Sequence, residues 1–239
     1  MRLKIMFSHI SVQLMAVAIV VGAVIALKTG PAWVWLLVPF GVMTQMLNEY
    51  SIHRYLFHFS APKKQWLFDL LYQVHYGHHD FPTNKGLFFV PAWFALPMLC
   101  FNFSALWFVL SFITPLALPI AAIVILVGGV GTFLFYEWFH MTAHMTVPKA
   151  WVEQHVTILH NQHHFRDFSK WFHVSPGGHV IDRVMGTAIN RESLKQQQRM
   201  EFIRTMGLSP DDPRLVAARL RFADKYGFTE AEIERAAVV

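Results

Sequence analysis

Charge is what this chain has least of. Only 15% of its 239 residues are charged, against roughly a quarter in a typical soluble domain. The shortage is regional. Residues 1–48 carry only Arg2, Lys4 and Lys28, and residues 86–136 carry no charge at all. Runs of that kind, in a chain that is 54% hydrophobic, exclude a simple soluble globule and point to a bilayer. Cysteine is almost missing as well. Cys100 stands alone, which excludes an internal disulfide framework and a thiolate metal cluster. No dense Lys/Arg cluster underlies the net charge of +5, so no nucleic-acid partner is expected. A basic membrane protein facing an anionic leaflet explains the sign. Haem, flavin and nucleotide motifs are absent too. Ser175-Pro-Gly-Gly178 has serine where the HPGG motif of b-type cytochrome domains has its haem ligand, and reads as a turn.

The apolar stretches have the length of membrane spans. Residues 5–27 supply the first; they lack an A-x-A-like cleavage site and are read as a span rather than a signal peptide. Residues 29–48 supply the second. The uncharged block 86–136 holds two more, hinged near Thr114-Pro115 and Pro119, with Pro91 and Pro97 kinking the third or making it partly re-entrant. Basic residues flanking the spans place both termini and the histidine-rich segments in the cytoplasm. Between spans two and three, Trp66, Leu67, Leu70, Leu71 and Val74 recur at helical spacing, predicting a surface-lying helix over residues 62–79. The last 49 residues gather nine basic and eight acidic side chains. The expected fold is an all-α, multi-pass integral membrane protein with about four transmembrane helices and a cytoplasmic helical cap. Its expected parts are a first transmembrane helix (1–30), a membrane domain (31–188) and a charged cytoplasmic helical tail (189–239).

Histidine is what the chain has in excess. There are 14, and all but His9 lie between positions 53 and 179. Ten fall into four clusters: His53 and His58; His75, His78 and His79; His140 and His144; His160, His163 and His164. On a helix, positions i, i+3 and i+4 share a face, so each HxxHH triplet is expected to present three rings toward one point. His53 and His58 are about 140° apart on an ideal helix, so they are expected to serve different metals or to lie where the helix frays. Gathered in one layer, ten neutral imidazoles would give two metals five ligands each and leave an open position for catalysis. Imidazole ligation leaves Fe, Cu, Zn and Ni open. Glu49 and Glu137, a turn before ligand histidines, are candidates to take a ligand's second ring N–H, and Asp167 and His179 are further outer-layer candidates. His9, His155 and His173 read as ordinary satisfied histidines.

The order HxxxxH, HxxHH, HxxxH, HxxHH resembles the membrane fatty acid hydroxylase and sterol desaturase superfamily, and is most similar to its fatty acid 2-hydroxylase branch. The flanking text agrees: His53-Arg-Tyr-Leu-Phe-His58, His79-Asp-Phe-Pro82, Tyr136-Glu-Trp-Phe-His140, His163-His-Phe-Arg-Asp167, and Asp182-Arg-Val-Met-Gly-Thr187, which is similar to the element closing the family domain. The likeness covers about residues 31–188. Where the branch usually reads Phe-Gly-Val-Thr-Ser-Pro, this chain reads Phe172-His-Val-Ser-Pro-Gly. The resemblance implies a di-iron centre (with zinc able to replace iron), O2 as cosubstrate and a fatty acyl lipid as substrate. With no cofactor motif of its own, the chain is expected to draw electrons from a separate donor, a ferredoxin or a cytochrome with its reductase. Phe57, Phe81, Phe88, Phe89 and Trp138 are candidate walls of a lipid slot. Three alternatives remain at this point: a carotenoid or sterol hydroxylase or desaturase of the same superfamily, a membrane metal carrier without catalysis, and a membrane b-type cytochrome.

Overall fold

The uncharged stretches become the longest helices. The computed structural model describes residues 1–237; residues 238–239 of the expected tail lie outside the described residues. A short helix α1 (Arg2–Met6) leads into α2 (Ile10–Thr29), whose apolar sequence ends at Gly30. The second expected span is divided. After Pro31 the chain forms a 3-10 helix over Ala32–Leu37, then α3 (Val38–Ser51), then a π-helix over Ile52–Phe57. Pro39 has no N–H to donate one turn back, and the helix type changes there. Next come α4 (Gln65–Leu71), a π-helix over Tyr72–Tyr76 and α5 (Gly77–Asp80), which together occupy the predicted surface helix.

A 3-10 turn (Lys85–Leu87) precedes α6 (Ala92–Ser111), which is entered through Pro91 and contains Pro97. The fourth stretch runs as α7 (Ala117–Ala121), a π-helix (Ala122–Gly129) and α8 (Val130–Ala143). Three stretches among the described residues are long and apolar enough to cross a membrane: Ile10–Thr29, Lys85–Ser111 and Ala117–Ala143. The expectation was about four, and residues 29–48 are not among these three. The protein is all-helical, with helices suited to span a bilayer.

The Ala117–Ala143 stretch is central and more than half buried, whereas α6 is peripheral, with almost none of its residues buried. Glycine permits the closest approach. A Cβ at Gly41 on α3 would overlap the Val124 carbonyl, and one at Gly128 would stand 2.7 Å from the Val38 carbonyl. Backbone-to-backbone packing of small residues is how helices associate where no hydrophobic force drives them together. At one end of the bundle α9 (Trp151–Phe165) and α10 (His179–Val184) join α5. Arg2 secures α9 from the N-terminus: its guanidinium donates to Glu153 Oε1 at 2.7 Å and lies 4.9 Å over the Trp138 ring.

The chain divides into two compact units, Met1–Ala188 and Ile189–Val239. The second holds α11 (Arg191–Thr205), α12 (Pro213–Tyr226) and α13 (Glu230–Ala237). Asn190 and Asp212 cap the first two with their side chains, and Gly227 at φ 70° ends α12 in the left-handed conformation glycine favours.

Candidate metal centre

The ten clustered histidines form two groups of five. His53, His58, His75, His79 and His163 make the first; His78, His140, His144, His160 and His164 make the second. Within each group, one nitrogen from every ring lies within 4.8 Å of all the others. The two groups adjoin: the rings of His79 and His164, one from each, stack with centroids 4.1 Å apart.

Helical geometry explains the membership; it corrects the expected convergence of the triplets and removes one of the two options for His53 and His58. His53 and His58 do not serve different groups. His53 lies in the π-helix and His58 directly follows it, and the His58 N–H donates to the His53 carbonyl at 3.1 Å. A π-turn closes every five residues rather than every four, so positions i and i+5 return to one face. The triplets, in turn, do not converge on single points. At 100° per residue, i+4 lies about 40° from i, while i+3 lies about 60° away on the other side. His75 and His79 therefore go to the first group and His78 to the second. His160 and His164 go to the second group and His163 to the first.

Backbone carbonyls, not the expected acids, take the outer nitrogen of three of the ten rings. His53 Nδ1 donates to the Phe172 carbonyl in a short hydrogen bond, His163 Nδ1 to that of Lys170 at 2.6 Å, and His140 Nδ1 to that of Phe88 at 2.8 Å. Each bond puts the ring proton on Nδ1 and leaves a lone pair on Nε2 facing the group centre. Glu137 Oε1 instead accepts the Val90 N–H, Glu49 Oε2 the Ser175 hydroxyl, and Asp167 Oδ1 the Ser169 N–H and hydroxyl. The carboxyls bond local donors instead; carbonyls serve His53, His163 and His140, and the buried Nδ1 atoms of His78, His79, His160 and His164 have no hydrogen-bond partner among the described residues. Sequence inspection cannot find those carbonyls, since they carry no side-chain signature.

The donor set fits metal ions. In the first group His75 Nε2 lies 3.1 Å from His53 Nε2, 3.1 Å from His58 Nε2 and 2.8 Å from His79 Nε2. In the second, His78 and His164 Nε2 are 3.1 Å apart, and His144 and His160 Nε2 are 2.7 Å apart. Separations this short need either a proton shared between neighbouring rings or a cation between their lone pairs, and a cation serves all five rings of a group at once. Two ligands about 2.1 Å from one ion lie about 3.0 Å apart at a right angle and about 3.4 Å apart at the tetrahedral angle. The observed separations match the right angle, as expected around an ion of five or six ligands. His140 Nε2 and His163 Nε2 are buried without a hydrogen-bond partner among the described residues, as ligand atoms would be. Burial and neighbouring rings hold His75, His78 and His160 well below the usual histidine range; His163 is brought to about 3 and His79 to about 2, and burial alone brings His58 to about 4. The rings are neutral at physiological pH, the form that binds metal.

The other histidines stand apart. His9 Nδ1 pairs with the Ser11 hydroxyl, His155 and His179 meet edge to face, and His173 donates from Nε2 to the Met46 carbonyl while Nδ1 accepts the Ser175 N–H. His179 touches neither group. Beside His53 opens a largely apolar slot, walled by Met15, Phe57, Phe94, Leu99 and Phe133 among others. Of the five aromatics expected to form its walls, only Phe57 does so. Phe88 and Phe89 pack in the core, Phe81 is exposed and Trp138 donates to Glu153. Gln45, Asn48 and Asn102 add a polar lining that hydrophobic patterning did not single out.

A family model described as fatty acid hydroxylase matches residues 38–187. The chain is 33% identical over 153 residues to a dihydroceramide fatty acyl 2-hydroxylase of Arabidopsis thaliana, covering 64% of this chain and 60% of that protein. It is 26% identical to a ceramide very long chain fatty acid hydroxylase of Schizosaccharomyces pombe, covering 62% of this chain and 40% of the yeast protein. The chain thus spans about 60% of the plant relative's length and less of the yeast one's. Among solved structures it is similar to that of full-length Scs7p, in which only the hydroxylase domain is visible. The TM-score is 0.61 at 25% identity, over 75% of this chain and 65% of that one.

Proposed function

Because the chain belongs to the fatty acid hydroxylase family, we propose that it is a membrane di-iron oxygenase that inserts one atom of O2 into a C–H bond of a fatty acyl lipid. The observation that carries this reading is the pair of five-imidazole groups beside an apolar slot that reaches His53. Overall, the lipid C–H and O2, with two electrons and two protons, become the alcohol and water. Two iron ions, when bound, would supply the redox chemistry that reduces O2. Ten imidazoles would hold them, five to each, and the carbonyls of Phe172, Lys170 and Phe88 would fix three ring orientations. Apolar walls contributed by Met15, Phe57, Phe94, Leu99 and Phe133 align one acyl chain and keep water from the oxidant. Gln45, Asn48 and Asn102 offer hydrogen bonds to a polar group near the attacked carbon. The relatives are named for ceramide and dihydroceramide acyl chains, so an N-acyl sphingoid lipid is the proposed substrate. Electrons come from a separate ferredoxin, or from a cytochrome and its reductase. The metal-bearing end faces the cytoplasm along with both termini, residues 31–188 form the catalytic membrane domain, and residues 189–239 form a charged tail.

The test is hydroxy-acyl lipid production in cells that supply a reductase system. For His78→Ala or His163→Ala, product is expected to fall by roughly a hundredfold, since losing even an outer-layer partner costs about 10–100-fold. His9→Ala and His155→Ala are expected to stay near wild type. Unchanged product from both ligand variants, with metal retained, would refute the catalytic reading.

A further inference from the structure

The two histidine groups are not supported equally. Two of the three carbonyls that orient ligand rings, those of Lys170 and Phe172, lie on one strap between α9 and α10, and both serve the first group, through His163 and His53. The strap is bent where Trp171 adopts φ 52°, a left-handed conformation that is costly for a bulky residue and persists only when its surroundings impose it.

The surroundings that impose it centre on Asp182. Its side chain is fully buried. Oδ1 accepts the Phe172 N–H at 2.9 Å, and Oδ2 accepts the His173 N–H at 3.1 Å. The Thr187 hydroxyl donates to Oδ1 at 2.8 Å, and the Thr187 carbonyl accepts the Trp171 N–H at 3.0 Å. The Trp171 indole donates to Gln162 on α9 at 2.8 Å. The chain of bonds then returns to the helix that carries His53. Arg54 donates to the Tyr50 phenol oxygen at 2.7 Å, and that hydroxyl lies 3.1 Å from Thr187 Oγ1. With the Thr187 proton committed to Asp182, Tyr50 is the donor in that pair. Arg54, Tyr50, Thr187, Asp182 and the strap thus form a closed loop beginning and ending on the segment that presents His53. No corresponding loop reaches the second group among the described residues; its one oriented ring, His140, rests on the Phe88 carbonyl.

We propose that Asp182 is a positioning residue for one ion only: through the strap carbonyls of Lys170 and Phe172 it sets the metal affinity of the group formed by His53, His58, His75, His79 and His163. This rests on the dimetal reading above. Asp182→Asn is the informative change, because it keeps the volume yet offers one acceptor oxygen where two backbone N–H groups on separate oxygens need two. The amide then turns its own N–H toward one of them, and the strap must shift.

The experiment counts metal per chain in purified protein after challenge with a competing chelator, and records the visible spectrum of the cobalt-loaded form. Wild type is expected to keep two ions. Asp182→Asn is expected to bind one of them about 10–100-fold more weakly, the range for losing outer-layer support, to keep a single ion after the challenge, and to lose about half its cobalt absorbance with the remainder unshifted. Adding Asp182→Asn to His163→Ala, which already cripples the first group, is expected to remove nothing more. Adding it to His140→Ala is expected to remove most of what remains. Two ions kept by Asp182→Asn, or equal losses in both backgrounds, would overturn the proposal. Should Asp182→Asn fail to accumulate, Thr187→Val leaves both backbone bonds to Asp182 intact and is expected to weaken the same ion to a lesser degree; unaltered retention of two ions by that variant would overturn it equally. A wild-type protein that binds no metal at all is a separate failure, and would sink the dimetal reading itself.

Discussion

A histidine ring buried away from water is harder to protonate than the same ring in an unfolded chain, and this ties stability to pH. His58 and His173 are both brought to about 4 in the folded state, chiefly by burial, from an ordinary value of 6.5. Between those values the unfolded chain binds protons that the folded chain refuses, so stability present above about pH 6.5 is lost as the pH falls toward about 4. The metal-free protein in detergent is accordingly expected to lose thermal stability progressively between pH 6.5 and 4. Melting curves across that range check it, and a flat profile would contradict the neutral-ring account. At this scale the sequence was legible for side chains and silent for backbone. The ten histidines were visible from their spacing, whereas Phe172, Lys170 and Phe88 act through carbonyls that any residue could supply.

At the scale of elements, the expectation that failed was helix type. An ideal α-helix puts His53 and His58 on different faces, and only the π-helix over Ile52–Phe57 reunites them. No residue pattern announces a π-turn, because it is selected by tertiary packing and ligand demand rather than by local propensity. The second π-helix, over Tyr72–Tyr76, does leave one trace. Gly77 follows it, and a Cβ there would lie 2.9 Å from both the Tyr72 carbonyl oxygen and the Tyr72 ring. Gly77→Ala is therefore expected to cost about 1–3 kcal/mol through overpacking, and to shift His75 relative to His78 and His79. Metal retention should drop by at least half. Gly131→Ala on α8, where an added Cβ meets nothing within 4 Å, serves as the tolerated control. Equal behaviour of the two variants, read by metal content and melting temperature, would count against a required wide turn.

For the whole molecule, the distribution of basic residues carries the proposed orientation. In the proposed four-crossing topology Lys28 and the uncharged turn at residues 113–119 face one side of the membrane, and Arg54, Lys63, Lys64, Lys85 and Lys149 the other. A cysteine-accessibility scan in a Cys100→Ser background is expected to label position 28 only from outside and position 85 only from the cytoplasm. The reverse pattern would invert the proposed sidedness while leaving the metal centre untouched. The slot beside His53 has a kinetic consequence. Its walls include residues of α2, α6 and the Ala117–Ala143 stretch, the three elements suited to lie in lipid. A substrate arriving through those walls never crosses bulk solvent. Its relevant concentration is then a mole fraction of the surrounding leaflet, not a molarity. Diluting the purified protein in buffer would leave turnover unchanged, while adding inert detergent or phospholipid at constant total substrate would slow it in proportion, the signature of surface dilution.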